Sequence, residues 1–362
     1  MPREAISGLR RGWTTGACAA AAARAAFAAL LHGRFPDPVA IRLPRGGHAE
    51  FALALAEWRE RRTRAGIVKD AGDDPDVTHG ALVIAELEPA PAGSGIGFAA
   101  GEGVGVVTRA GLALAVGEPA INPAPRAMIR DALSDEAAAA GAPAPAVTVT
   151  ISIPGGARLA AKTMNARLGI VGGLSILGTT GIVIPYSCSS WIHSIQRGID
   201  VARAAGLGHI AAVTGATSER AVRRLYDLPE HGLIDMGDFV GGTLKYLRAH
   251  PVDRLTIAGG FAKLAKLADG HLDLHSARSR VDVAALAGLL GSLGAEPAAV
   301  LAAGRAAGAG EVLALAGPRR RALAHAVARR AREVALATLS GATAIDVAVV
   351  DGNANLVARA GE

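Results

Sequence analysis

Residues 209–226 read His-Ile-Ala-Ala-Val-Thr-Gly-Ala-Thr-Ser-Glu-Arg-Ala-Val-Arg-Arg-Leu-Tyr, an apolar run that stops at Gly215 and gives way to a helical pattern. The same unit recurs twice, as Leu233 to Met236 ending at Gly237 and Arg254 to Ala258 ending at Gly259-Gly260. Ser218 is placed to cap a helix reaching about Tyr226, Asp238 to cap one reaching about Ala249, and a further helix follows Gly260. Strands that each return through a helix pair in parallel, so the stretch predicts a βαβαβ half of a doubly wound sheet. Asp282 opens more helix, Pro318 suits the first turn of a basic helix reaching Leu339, and Ile345 to Val350 is a late strand turned by Asp351-Gly352-Asn353.

The pattern upstream differs. Gly12-Trp13-Thr14-Thr15-Gly16 precedes an alanine-rich run to about Leu31, which predicts a helix capped by a hydroxyl. Val147-Thr148-Val149-Thr150-Ile151-Ser152-Ile153 alternates apolar and polar side chains and predicts a half-buried strand. Short apolar stretches at Val39 to Leu43, Phe51 to Leu55 and Ala81 to Glu86 are separated by turn residues. The expected fold is therefore an α+β N-terminal domain, 1–195, followed by a small α/β domain with a parallel, doubly wound sheet and C-terminal helices, 196–362. At 362 residues the chain is long enough for two cores, and it has no repeat of 20 to 50 residues.

Composition narrows the function classes. The chain is 51% hydrophobic, largely through alanine, and only 3% aromatic, with 38 Lys and Arg against 32 Asp and Glu. The net charge of +6 and pI near 9.8 favour an acidic partner. Few aromatics to stack on bases and no helix-turn-helix, zinc-finger or RNP-like pattern argue against nucleic acid. No charged residue lies between Arg167 and Arg197, but six glycine and proline breaks and several Ser and Thr argue against a membrane span. The N-terminus lacks an apolar secretory segment, so a cytoplasmic protein is expected, and Cys18 and Cys188 are too few for a disulfide framework.

Four clusters could carry chemistry. Lys69 to Gly80 crowds Asp70, Asp73, Asp74, Asp76 and His79 into one bent loop, in an order that is not a calcium loop. Asp70, Asp73 and His79 are the candidates for any proton transfer, imidazole being the side-chain type most often used for it. Gly101 to Arg109 and Gly117 to Arg126 have alternate glycines without the GxGxxG fingerprint, and they present Arg109 and Arg126 as carboxylate forks. Lys162, Asn165 and Arg167 lead into a glycine-rich run holding Thr179 and Thr180. In open α/β sheets ligands bind outside the carboxyl ends of the strands, and an acidic residue after the second strand often takes ribose hydroxyls. Gly215, Glu219, Asp235, Asp238, Gly259 and Gly260 fall there, with Asp235 twenty residues after Gly215. His271 and His275 stand four apart, but Gly270 breaks any helix and no third ligand is evident, so no metal site is expected.

In order, Gly12 to Gly16 with its alanine helix, Val68 to Gly80, Gly101 to Gly111, Gly117 to Arg126, Lys162 to Gly181 and Gly259 to Ser276 resemble the cobalt-precorrin-5B C1-methyltransferase family of anaerobic cobalamin biosynthesis. Trp13, Ala17 and Tyr186 depart from that family's usual tyrosine, threonine or serine, and methionine. The resemblance implies methyl transfer from S-adenosylmethionine to C1 of an acidic tetrapyrrole, with cobalt entering only inside the substrate. A ring fringed by carboxylates would be met by Thr14, Thr15, Arg109, Arg126, Lys162, Asn165, Arg167, Thr179 and Thr180, in a cleft against the Asp70 to His79 loop. The methyl donor is expected near Gly215 and Asp235 or Asp238. A non-catalytic carrier of the same anionic ring is the alternative, a nicotinamide-dependent reductase is disfavoured by the missing fingerprint, and homo-oligomerisation is left open.

Overall fold

A computed structural model describes residues 8–361; residues 1–7 of the N-terminal stretch and Glu362 lie outside the described residues. The chain forms two compact units, residues 1–187 and 188–362. The division falls ahead of the expected 195/196 because Cys188–Ala204 is one continuous helix.

In the first unit the helix Thr15–His32 is capped by Thr14, whose Oγ1 accepts the Ala17 amide at 3.2 Å, and it ends at Gly33 in the left-handed region. It is long and apolar enough to cross a bilayer, yet its alanines from Ala17 to Ala26 are fully buried in the unit's core. Side chains this short let it lie close on the strands Arg62–Val68 and Leu82–Pro89, while the helix Pro123–Ala139 packs beside it. The sheet runs Leu55–Arg59, Arg62–Val68, Leu82–Pro89, Val147–Ser152, Ile96–Ala100. All its pairings are antiparallel except the last, which is parallel. Val147, Val149 and Ile151 are buried as the alternation predicts. The run Phe51 to Leu55 is not one strand: it spans the turn between His48–Phe51 and Leu55–Arg59. The basic cluster Arg59 to Arg64 forms a hairpin in which Arg62 and Arg64 pair across strands with Glu57, Glu86 and Glu88, and Arg59 pairs with Glu57 along its own strand.

The second unit holds a five-stranded sheet in the order Leu233–Asp235, His209–Val213, Arg254–Gly260, Ala344–Val350, Leu356–Ala360. The first four strands are parallel and the last is antiparallel. Ile210, Ala212, Leu255, Ile257, Ile345 and Val347 face one core with most of the helices. Ala211, Val213, Ala258 and Ala348 face the other way, where Val222 of the helix Ala216–Leu225 covers them. Chain progression reverses between His209–Val213 and Arg254–Gly260, the switch point at which open α/β sheets bind ligands in the crevice outside the strands' carboxyl ends.

Two of the expected caps are replaced. The helix after Gly215 begins at Ala216, and the Ser218 hydroxyl instead accepts the Thr214 amide and donates to the Gly215 carbonyl. The helix Val240–Ala249 has Phe239, not Asp238, at its N-cap, because Asp238 pairs with Lys263. Asp282 does cap its helix, accepting the Ala285 amide at 2.8 Å. The basic helix begins at Arg320, with Pro318 inside a preceding 3-10 turn.

Candidate active site

The acidic loop of the first unit is tied at every carboxylate. Asp70 receives a two-pronged ion pair from the Arg10 guanidinium and the Gly72 amide at 2.9 Å. The Arg10 bond, then the Gly72 amide, pull its carboxyl down to about 2. Asp73 Oδ2 accepts the Arg10 amide at 2.6 Å, and Asp74 Oδ1 the Tyr186 amide at 2.8 Å. Asp76 pairs at 2.5 Å with Lys69, which is 2% exposed. Burial pushes the Asp76 carboxyl up, but Lys69 and the Thr78 hydroxyl and amide outweigh it, and the net direction is down.

His79 differs from its neighbours. Its Nδ1 accepts the Ala71 amide at 3.1 Å and lies 3.8 Å from Asp70 Oδ1. The ring is therefore held in the tautomer that keeps its proton on Nε2, and the side chain is half exposed. Of the three proton-transfer candidates, Asp70 is committed to Arg10 and Asp73 to a backbone amide, whereas the His79 side chain is half exposed, with Nδ1 taken by the Ala71 amide.

The same loop is joined to the short strand Gly12–Trp13 and, through it, to the chain just past the predicted Lys162 to Gly181 segment. The Trp13 amide donates to the Asp70 carbonyl at 2.7 Å, and Gly12–Trp13 pairs with Ile182–Val183. Gly72 has φ +67°, and a Cβ there would collide with the Arg10 carbonyl, so only glycine lets these chains meet. Thr14 and Thr15 are buried, Thr14 as the helix cap, and the Thr180 hydroxyl closes a local turn with Ile182. Thr179 is exposed beside them.

A second patch gathers the glycine motifs. Gly103 has φ +73° and lies against Gly156 and Gly173, backbone on backbone, where side chains would clash. Asn165 is buried and clamps this crossing, donating to the Gly173 carbonyl at 3.0 Å and accepting from Ser175. Arg109 lies along Gly169 with an exposed side chain, Lys162 is exposed, and Arg167 is partly buried. Val106 and Val171, register partners on neighbouring two-residue strands, are both exposed. Arg126 behaves otherwise: its guanidinium binds the Ile121 and Pro119 carbonyls and Glu118, stacks on Phe98, and is 15% exposed. It is a structural tie rather than a fork open to a ligand.

In the second unit the expected donor-site residues lie at or just past the carboxyl ends of the strands Leu233–Asp235, His209–Val213 and Arg254–Gly260. Gly215 and Gly260 have open space where a Cβ would stand, and Gly259 lies under the Thr214 side chain. Lys263, which the sequence reading did not single out, binds the Thr214 carbonyl at 3.0 Å and Asp238 at 3.1 Å, linking the ends of three strands. Glu219 pairs with Arg223 along its helix. The Asp235 carbonyl accepts the Trp191 indole at 3.2 Å. Lys263 could have been noticed as a cation in the first turn of a helix, where the dipole disfavours it unless a carboxylate compensates.

A family model described as CbiD matches residues 3–185, and one described as CbiD, C-terminal domain, matches 273–361. The chain is 59% identical over 355 residues to a cobalt-precorrin-5B C(1)-methyltransferase of Paramagnetospirillum magneticum, covering 97% of this chain and 98% of the other. It is 58% identical over 354 residues to the protein of that name from Rhodospirillum rubrum, covering 98% of both. A 1.9 Å crystal structure of cobalamin biosynthesis protein CbiD from Archaeoglobus fulgidus is 31% identical, with a TM-score of 0.41 over 71% of this chain and 79% of that one.

Proposed function

The chain belongs to the CbiD family, and on that premise we propose that it is a C-methyltransferase that methylates C1 of cobalt-precorrin-5B in cobalamin biosynthesis. The observation that carries this is the near-full-length identity to relatives bearing that activity in their names. S-adenosylmethionine is the methyl donor, and cobalt belongs to the substrate. In the transfer the methyl carbon leaves the sulfonium sulfur, which keeps the C–S electron pair and becomes a neutral thioether. The ring carbon supplies the pair for the new C–C bond.

Such a displacement asks for alignment and exclusion of water more than for a strong acid, and alignment can supply roughly 7 to 11 kcal/mol of barrier reduction. The glycine-rich face of the first unit suits the ring. Val106 and Val171 offer exposed apolar surface, Arg109, Lys162 and Arg167 are the candidate carboxylate partners, and half-exposed His79 is the candidate for any proton transfer. The donor belongs at the crevice of the second unit, its ribose on Asp235 or Asp238 and its amino-acid end near Gly215 and Gly259-Gly260.

Incubating the enzyme with cobalt-precorrin-5B and S-adenosylmethionine carrying a labelled methyl group tests the reading. One labelled methyl on C1, with one S-adenosylhomocysteine released per turnover, is the expected result. Tight binding of the ring without transfer would make the protein a carrier instead.

A further inference from the structure

Trp191 stands at the start of the helix Cys188–Ala204 with an indole 46% exposed, unusual in a chain with three tryptophans in all. Two contacts fix how the ring lies. Its Nε1 donates to the Asp235 carbonyl at 3.2 Å, which sets its rotation at the carboxyl end of the strand Leu233–Asp235. A Cβ built on Gly237 would stand 3.3 to 3.4 Å from Nε1, Cε2 and Cζ2 alike. Near-equal distances to three consecutive ring atoms put that point above the ring plane, because a point at the ring's edge would be closer to one of them. One face of the indole, along its Nε1–Cε2–Cζ2 edge, is therefore turned toward Gly237, where even a methyl would already be in tight contact with the ring. With that face turned to Gly237, the exposed 46% of the side chain leaves the opposite face open to a ligand, and Asp235 stands three residues of chain before the Asp238–Lys263 pair.

We propose that Trp191 is the stacking platform for the adenine of the methyl donor, a binding role that rests on placing the donor at this crevice. In an open α/β sheet the carboxylate after the second strand takes ribose hydroxyls, so the base attached to that ribose extends past the same strand end. A flat ring anchored by its N–H and backed by glycine is pre-organised, which lowers the ordering cost of binding. One exposed indole face matches a purine in area. Stacking of this kind discriminates little among purines, so selection of the sulfonium must come from elsewhere in the crevice.

The experiment is titration of the full-length protein with S-adenosylhomocysteine by calorimetry and by tryptophan fluorescence. Trp191→Ala should weaken binding about tenfold or more, within the range of aromatic stacking on a base, and Trp191→Phe should stay within about threefold of wild type. A Trp13→Phe, Trp58→Phe protein, in which only Trp191 emits, should be quenched as the ligand saturates. Undiminished emission at saturation overturns the proposal, even if Trp191→Ala does not fold. Wild-type affinity in Trp191→Ala alongside weakened binding in Asp235→Ala or Asp238→Ala overturns the platform while leaving the donor site in place. Wild-type affinity in all three removes the donor from this crevice and the platform with it.

Discussion

His79 Nδ1 accepts the backbone amide of Ala71 at 3.1 Å, so one nitrogen of the imidazole holds the loop while the other, Nε2, carries the ring's proton. The two roles separate by substitution. Asparagine presents an acceptor near the Nδ1 position and nothing at Nε2, so His79→Asn should keep the melting temperature close to wild type, the bond to Ala71 being worth about 1 kcal/mol. Its kcat should fall by between about 10² and 10⁴, the usual share of general acid or base catalysis. Full kcat in this variant at neutral pH would leave alignment alone as the source of the rate.

Lys69 and Asp76 form an ion pair whose lysine is almost wholly buried. Lys69→Ala leaves a carboxylate without its counter-charge and should cost about 3 to 5 kcal/mol in urea unfolding. Lys69→Met with Asp76→Leu should lose less than the two single changes summed. The pH sense follows from the lowered carboxyl of Asp76. Its contribution is complete above the unfolded value of about 3.9 and disappears as pH falls through the lower folded value, so wild type should lose stability on acidification. The double variant should show a flatter acid limb.

Glycine-ended apolar runs made the parallel sheet legible, because backbone turn chemistry and apolar periodicity are local properties of residues 209–260. The strand Arg62–Val68 escaped notice because it reads Arg-Thr-Arg-Ala-Gly-Ile-Val: its buried Thr63 satisfies its hydroxyl on the Ala26 carbonyl of a distant helix. Ile96–Ala100 escaped because its glycine suggests a loop. Local spacing marked the acidic loop and the glycine-ended strand ends as candidates but not the distant residues that bond them. Arg10 lies sixty residues from Asp70, and Lys263 lies 25 from Asp238. Asp238 accordingly looked like a cap, and Arg126 like a free fork, since no local pattern shows Glu118 and two carbonyls closing on it.

Cys18 sits in the alanine helix with no exposed surface, and its thiol is pushed up to about 12 by burial, partly offset by Lys69. The thiolate is the reactive form. Iodoacetamide at pH 8 should therefore label only Cys188, which is partly exposed, in the native protein and both cysteines in urea. Native labelling of Cys18 would show that the helix opens on the labelling timescale.

His209, at the amino end of the second-unit sheet, bonds Thr256 Oγ1 at 2.8 Å and packs edge-on against Tyr226. Its pKa is lowered, first by burial and then by Arg254. The unfolded chain therefore takes up a proton near 6.5 that the folded chain resists, and stability should decline as pH drops below about 6.5 until the folded value is passed. In His209→Gln the unfolding free energy should vary less between pH 7 and pH 5. An unchanged slope would assign that part of the pH dependence to another group.

Arg109 and Arg126 looked equivalent in sequence, and their surroundings now set them apart. Arg109 is exposed along Gly169, while Arg126 is closed in by Phe98, Glu118 and the Ile121 and Pro119 carbonyls. A carboxylate clamp that binds ground state and transition state alike lowers KM without changing kcat. Arg109→Ala should therefore raise the KM for the ring about tenfold, in line with loss of a charge-assisted hydrogen bond of about 1.5 kcal/mol, with kcat preserved. Because the attraction is between charges at an exposed site, the remaining activity should also respond less to added salt. Arg126→Ala should lower the melting temperature and leave the salt response as in wild type, since its bonds are made inside the fold. Alanine in the Arg319 to Arg321 run, on exposed residues of the second unit, should change neither parameter. A KM effect at Arg126 with no loss of stability would return it to the binding surface and place the ring against the turn between Gly117 and Pro123.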